Sequence, residues 1–289
     1  MWVLLLCAAT MVAEVTAGIV FNSMALLADG LHMATHAGVM LIAVAAYRVA
    51  WRNRANSKFS FGTGKVGDLA AFASALALAA TAVFLIIESV GRLIEPVPIS
   101  FNEAIPVAFL GLIVNVLSVW LLHDGPDHAH THHGHSHGHD HAHDHHHHDL
   151  NLRAAYVHVL ADAGLSVLAI AGLFAARDFG WAWLDPVLGI LAGIVILRWA
   201  GALLMTAGAV LLDKLPDADF VERARSTLVA EGACLTDFHV WRLGPGHYGL
   251  IASLTNTDEP PSYYRRRLTK LPGLAHITIE INQLPPRRT

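Results

Sequence analysis

Six apolar segments dominate this 289-residue chain, and each is long enough to cross a membrane as a helix. A spanning helix needs roughly 20 apolar residues, because the hydrocarbon core is about 30 Å thick and each residue rises about 1.5 Å. Hydrophobic residues make up 54% of the chain and charged residues only 15%, which is typical of a polytopic α-helical membrane protein. The predicted transmembrane helices cover residues 2–22, 25–50, 68–91, 104–122, 153–176 and 183–205.

Basic residues around the connection between the second and third spans predict the orientation of the chain. They are Arg48, Arg52, Arg54, Lys58 and Lys65. The connections after the first, third and fifth spans hold few basic residues, and cytoplasmic loops are the ones enriched in Lys and Arg. We therefore expect this connection, both termini and residues 123–152 to lie on the cytoplasmic side of the inner (plasma) membrane.

The long apolar pattern ends near residue 213, and a soluble domain is expected after it. Charged residues return there, and hydrophobic residues alternate over short stretches instead of forming long runs. The sequence therefore predicts a transmembrane domain over residues 1–213 and a cytoplasmic C-terminal domain over residues 214–289.

Local patterns predict the elements of this C-terminal domain. Asp217 or Asp219 is a candidate N-cap for a helix that reaches Glu231. Strands in CLTDFHVWRL and YGLIASLT are joined by a GPGH turn, and a helix in EPPSYYRRRLTKL precedes a last strand in HITIEIN. The resulting α-β-β-α-β order favours an α+β fold in which helices pack on one face of a sheet.

Two of the apolar segments carry pairs of side chains that can bind a metal ion. His32 and His36 lie four residues apart in the second span, and His158 and Asp162 have the same spacing in the fifth. This spacing puts both members of a pair on one helical face. An Asp at the bilayer centre costs on the order of 3 kcal/mol on insertion scales, so it needs a partner or a function. Polar side chains that only hydrogen-bond between helices are the alternative interpretation, which suits a lone histidine better than two matched pairs.

The four side chains together would form one site for a transported cation. Three neutral imidazoles and one carboxylate supply three nitrogen ligands, one oxygen ligand and a single negative charge. This set suits zinc, cobalt or nickel and is poor for magnesium or calcium, which prefer oxygen ligands. The metal is therefore expected as substrate, and no cofactor is predicted.

Residues 123–149, within the connection between the fourth and fifth spans, are rich in histidine. The segment has low complexity and too little hydrophobic mass to fold, so we expect a disordered cytoplasmic loop over residues 123–150. Alternating histidines offer many weak sites that would concentrate metal ions. Candidate ligands in this loop are His128, His130, His132, His133, His135, His137, His139, His141 and His143.

Other polar residues are weaker candidates for function. Those in apolar runs either line the ion path, support a ligand or hydrogen-bond between helices, and they are Glu14, Asn22, Asp29 and Asn115. Three histidines of the C-terminal domain are candidate metal ligands, with surface or strand-pairing roles as the alternative. They are His239, His247 and His276.

Several motifs resemble those of the cation diffusion facilitator family of metal transporters. They are SMALLADGLHM, FSFGTGKVGDLAAF, ESVGRLIEP, HVLAD and FHVW. The resemblance implies a six-helix transporter, commonly a homodimer, with a cytoplasmic ferredoxin-like domain and proton-coupled export of divalent metals. It also implies that the paired motifs of spans two and five form the transport site, here His32, His36, His158 and Asp162.

One departure from the family pattern bears on the choice of metal. The zinc branch of the family usually ends the motif of span two in Asp, where this chain has His36. A pair of histidines in span two, followed by a histidine-rich loop, is more similar to the cobalt and nickel efflux branch. We therefore expect Co²⁺ or Ni²⁺ to be preferred, with a zinc-selective carrier as the alternative.

Two other classes of protein fit this sequence less well than a transporter. A membrane metalloenzyme needs an open coordination position and a general base, and no HExxH motif accompanies these pairs. A metal sensor or storage protein is favoured only by the histidine-rich loop. The sequence thus predicts a carrier and not an enzyme, with divalent cations, protons, the lipid bilayer and a second copy of the chain as partners, and no nucleic acid.

Overall fold

The structure is a computed structural model that describes residues 2–123, 147–215, 218–229 and 232–282. Side chains are described throughout these ranges except at residues 2–7, 36, 118–123 and 147–162. The candidate ligands of the histidine-rich loop, from His128 to His143, lie outside the described residues.

Six long helices form the first part of the chain. They are α1 (Trp2–Val20), α2 (Met24–Arg52), α3 (Val66–Ile94), α4 (Phe101–His123), α5 (His147–Phe179) and α6 (Leu184–Leu211). Each predicted span overlaps one of them. Within the described part of the chain, α2, α3 and α6 are long and apolar enough to cross a membrane, and α1 and α4 contain shorter apolar stretches.

A carboxylate from α6 fixes the start of α2. Asp185 is 1% exposed and accepts a hydrogen bond of 2.7 Å from Ser23 Oγ. The same carboxylate accepts hydrogen bonds from the backbone amides of Met24, at 2.6 Å, and Ala25, at 3.1 Å. The first amides of a helix have no partner inside it, so a side chain from another helix satisfies them here.

Helices α2 and α5 run antiparallel to one another. Ala25 of α2 shares a buried cluster with Ala169 of α5. One turn further along α2, Asp29 is hydrogen-bonded to Ser166, which comes before Ala169 on α5. A forward step on α2 therefore corresponds to a backward step on α5.

The C-terminal part has the α-β-β-α-β order that the sequence predicts. Its elements are α7 (Ala218–Val229), β1 (Cys234–Gly244), β2 (His247–Thr255), α8 (Pro261–Leu268) and β3 (Leu274–Ile281). The sheet has the order β1-β2-β3, with β1 antiparallel to β2 and β2 parallel to β3. Its hydrophobic core includes Phe220, Leu228, Leu250, Leu254 and Tyr264.

The first of these helices differs slightly from its prediction. Because α7 begins at Ala218, Asp219 lies inside the first turn and is not the residue that precedes the helix. The helix is described as far as Val229. Asp217 and Glu231 lie outside the described residues.

By their internal contacts, the residues form two compact units. The first joins Met1–Leu41 with Ala73–Leu203, and the second joins Ile42–Phe72 with Leu204–Thr289. Within the second unit, Lys65 at the end of the α2–α3 connection forms an ion pair with Asp213, which follows α6.

The α2–α3 connection also packs against the C-terminal strands in this second unit. Gly64 lies so close to β1 that an added Cβ would overlap the carbonyl oxygen of Leu243. The ring of Phe61 lies 5.5 Å, centroid to centroid, from the rings of both Trp241 and His276. The connection is therefore held by close backbone approach and by aromatic contacts.

Candidate metal-transport site

His32 is the predicted ligand whose side chain the structure describes. It lies on α2 in MALLADGLHMATHAG, where Ala and Leu favour the helical backbone. The residue is 4% exposed, and the centroid of its ring lies 5.8 Å from that of Trp199 on α6. A buried imidazole beside an aromatic ring is shielded from water.

A small cavity lies beside His32, between α2, α5 and α6. Its walls include Ala28, Asp29 and His32 from α2, Leu165 and Leu168 from α5, and Leu191 from α6. The cavity volume is about 30 Å³, which is room for about two water molecules. Among the described lining residues, Asp29 and His32 carry the polar side chains, so few groups here can replace the hydration shell of a cation.

Asp29 connects the cavity to α5. Ser166 Oγ donates a hydrogen bond of 2.8 Å to Asp29 Oδ2, and Ser166 is 1% exposed. Asp29 was predicted from the sequence as a residue that lines the ion path, supports a ligand or bonds between helices, whereas Ser166 was not predicted. The signal was available, because Ser166 follows Asp162 by four residues and therefore lies on the same face of α5.

The other three residues of the predicted transport site are described by their backbone alone. His36 lies on α2, and His158 and Asp162 lie on α5, in the helices that the sequence predicts. Their side chains fall outside the described part, so their convergence with His32 stays a prediction.

The histidines of the C-terminal domain have local partners. His239 Nε2 lies 2.9 Å from Asp237 Oδ1, His247 Nδ1 lies 2.8 Å from the carbonyl oxygen of Pro245, and His276 contacts the hydroxyl of the nearby Thr278 at 3.2 Å. Among the described residues, no group of three or more His, Cys, Asp or Glu side chains is gathered in a way that could hold a metal. The trio is therefore not assembled within one chain, and metal binding at these positions stays a prediction.

Long apolar helices around an internal cavity, lined by the buried His32 and the half-buried Asp29, are typical of a polytopic membrane transport protein. Residues 1–212 match the family model of the cation efflux transmembrane domain. The chain belongs to the cation diffusion facilitator family of metal transporters.

Characterised relatives carry names that agree with this family. The chain is 34% identical over 237 residues to the zinc transporter ZitB of Pectobacterium atrosepticum, covering 81% of this chain and 68% of that protein. It is 31% identical over 283 residues to the metal cation efflux system protein CzcD of Cupriavidus metallidurans, covering 95% and 83%. It is 27% identical over 280 residues to the cadmium, cobalt and zinc/H(+)-K(+) antiporter of Bacillus subtilis, covering 94% and 84%. The chain is a metal cation efflux transporter and not an enzyme.

Proposed function

We propose that this protein exports divalent transition-metal cations from the cytoplasm in exchange for protons. The metal site of the proposal consists of His32, His36, His158 and Asp162. Cobalt or nickel is the preferred substrate, and zinc is the alternative.

The observation that carries the site is the hydrogen bond between Asp29 and Ser166. It relates the register of two antiparallel helices, in which each residue rises about 1.5 Å. Going from Asp29 to His32 advances about 4.5 Å along α2, and going back from Ser166 to Asp162 covers about 6 Å along α5 in the same direction. This register supports His32 and Asp162 lying at nearly the same depth along the axis of the helix bundle.

The same register supports the second half of the site. His36 lies about 10.5 Å beyond Asp29 along α2, and His158 lies about 12 Å beyond Ser166 along α5 in the same direction. His36 and His158 would therefore share a level one turn further along the bundle. Two facing pairs, one turn apart, suit four ligands around one cation.

The chemistry of these groups supports exchange with protons. Imidazole and carboxylate must both be deprotonated to bind a metal, so protons and metal compete for the site. Histidine titrates near neutral pH, so protons from the outer side can displace the metal there. The helices then expose the protonated site to the cytoplasm, where the protons leave and metal binds again.

We further propose how the protein is arranged in the membrane and how it assembles. All six long helices cross the bilayer, both termini and the histidine-rich loop are cytoplasmic, and residues 1–213 and 214–289 form separate domains. The C-terminal domain is ferredoxin-like, which its α-β-β-α-β order supports. The transporter is a homodimer in the inner membrane, as its family resemblance implies.

His36 and the histidine-rich loop support the preference for cobalt or nickel. A third imidazole in place of a carboxylate makes the ligand set richer in nitrogen, which suits late first-row cations. The names of the relatives support the zinc alternative, since ZitB is a zinc transporter and the Bacillus protein is named for cadmium, cobalt and zinc.

The ligand role of Asp162 can be tested in proteoliposomes under an imposed pH difference. Asp162→Ala removes the negative charge of the site, so we expect metal uptake to fall to the level of empty liposomes. Asp178→Ala is the matched control on the same helix, because Asp178 is exposed and ion-paired with Arg177 at 2.7 Å. Unchanged uptake by the Asp162 variant would exclude it as a ligand.

The metal preference needs a panel of cobalt, nickel, zinc, iron and manganese in the same vesicles. We expect the unsubstituted protein to favour cobalt or nickel and His36→Asp to shift the preference toward zinc. Identical profiles for the two proteins would contradict the role given to His36.

A further inference from the structure

Glu14 on α1 is a buried carboxylate that the metal site does not use. The residue is 1% exposed, and its Oε1 atom has no hydrogen-bond partner among the described residues. A charged carboxylate without a partner is unfavourable in a protein interior, and more so within a membrane. Such a group is stable as the neutral acid or with a bound cation.

Glycines on two neighbouring helices make room for this side chain. A Cβ added at Gly30 of α2 would lie 2.9 Å from the Glu14 Cβ, and one added at Gly111 of α4 would overlap Glu14 Oε1. Asn115 lies one turn after Gly111, and its buried Nδ2 atom also has no partner in the described part of the chain. The packing therefore holds the Glu14 carboxyl in a defined position against α4.

Asp29 is the chain neighbour of Gly30, which packs against the Glu14 Cβ, and a negative charge on Asp29 opposes one on Glu14. From α4, Glu14 meets Gly111, with Asn115 a turn away, and both are uncharged. Asp29 also lines the cavity beside His32 and accepts the hydrogen bond from Ser166. Asp29 thus belongs both to the lining of the cavity beside His32 and to the segment of α2 that packs on Glu14.

We propose that Glu14 is a binding site for the counter-transported proton, electrostatically coupled to the metal cavity through Asp29. This inference rests on the proposed exchange of metal for protons. A buried carboxylate whose Oε1 has no partner among the described residues is unfavourable in its charged form, so the empty carrier holds a proton on Glu14, bound through an O–H bond at its carboxyl. A divalent cation in the cavity supplies the missing positive charge, and the Glu14 proton then leaves to water on the cytoplasmic side.

Proton release on metal binding tests this directly. Titrations of the detergent-purified protein with Zn²⁺ or Co²⁺, in buffers of different ionisation enthalpy, count the protons released per metal bound. Because Gln carries no titratable proton, we expect Glu14→Gln to bind metal and to release about one proton fewer than the unsubstituted protein. Ser89→Ala, at a fully buried polar position of α3, is the control and should release the full number. Equal proton release by Glu14→Gln and the unsubstituted protein would overturn the inference.

Measurements of metal transport distinguish failure of this inference from failure of the proposed function. Each exchanged proton multiplies the steady-state metal concentration ratio by about ten per unit of pH difference. Glu14→Gln, which exchanges one proton fewer, should therefore lower metal accumulation about tenfold per unit of imposed pH difference. If the unsubstituted protein accumulates metal independently of the pH difference, the proposed exchange itself is wrong. If both proteins respond equally to the pH difference, only the role of Glu14 is wrong.

A second measurement covers the case in which Glu14→Gln does not fold. Metal-induced difference infrared spectroscopy on the unsubstituted protein should show loss of a protonated carboxyl band when metal binds. Glu14→Asp keeps the acid and should shift that band. Absence of the band, or a band unchanged by Glu14→Asp, would contradict proton binding at Glu14.

Discussion

Asp185 and Ser23 are 162 positions apart in the chain, and Ser23 Oγ donates a hydrogen bond of 2.7 Å to the Asp185 carboxylate. The two residues join the beginnings of α2 and α6. Since His32 of α2 and Leu191 of α6 both line the cavity beside His32, this contact helps to position the walls of that cavity. The carboxylate acts as a helix cap supplied by a different helix.

Loss of this cap should destabilise the transporter. Asp185→Ala leaves the Ser23 hydroxyl and two backbone amides without their partner, so we expect the free energy of unfolding to fall by about 3 kcal/mol. The change is measured as a lower midpoint of thermal unfolding in detergent. Asp178→Ala, at an exposed site, should change stability by about 0.5 kcal/mol or less. Equal midpoints for the two variants would show that the cap contributes little.

The hydrogen bond between Ser166 and Asp29 should matter for metal affinity more than for folding. Ser166→Ala removes one hydroxyl with almost no change in volume, and Asp29 loses the donor that orients it. Groups that orient the surroundings of a metal site typically change affinity by a factor of 10 to 100, and we expect about tenfold weaker binding here. Isothermal titration with Co²⁺ measures this. Ser166→Thr keeps the hydroxyl and should retain most of the affinity, and equally weak binding by both variants would contradict the role of the hydrogen bond.

Gly64 packs closely against β1, so its substitution should destabilise the second compact unit. Gly64→Ala would place a methyl group against the backbone of Leu243 and Gly244, which cannot rotate away as a side chain can. We expect a loss of about 1–3 kcal/mol, which is typical of overpacking. Thermal unfolding and limited proteolysis of the α2–α3 connection should both report it. Gly67→Ala is the matched control, since an added Cβ at Gly67 meets open space, and a similar response of both variants would argue against a specific contact.

Periodicity and composition predicted the elements of this chain well. The six long helices overlap the predicted spans, and the C-terminal elements follow in the predicted order. Helix ends were less accurate, because the span predictions counted apolar residues. Helix α2 continues to Arg52 and α6 to Leu211, beyond their predicted spans. A helix does not stop at the edge of an apolar run when the following residues also favour helical backbone.

Which elements pair with one another could not be predicted from periodicity and composition. Three strands were predicted in the correct order, yet the parallel pairing of β2 with β3 follows from how α8 connects them in space. The contacts of Gly64 with β1 and of Phe61 with Trp241 likewise join segments far apart in the chain. Local propensity carries no information about which distant residues meet.

The sequence by itself was enough to predict a metal-transporting membrane protein, because the length of apolar runs and the spacing of metal-binding side chains are local properties of the chain. Only the tertiary structure decided which polar groups share a buried environment. Ser166 forms a hydrogen bond with Asp29, 137 positions away in the chain, and the Oε1 atom of Glu14 packs against Gly111. Such contacts depend on the packing of several helices at once, where glycine lets backbones approach and each buried polar group must find a partner in three dimensions.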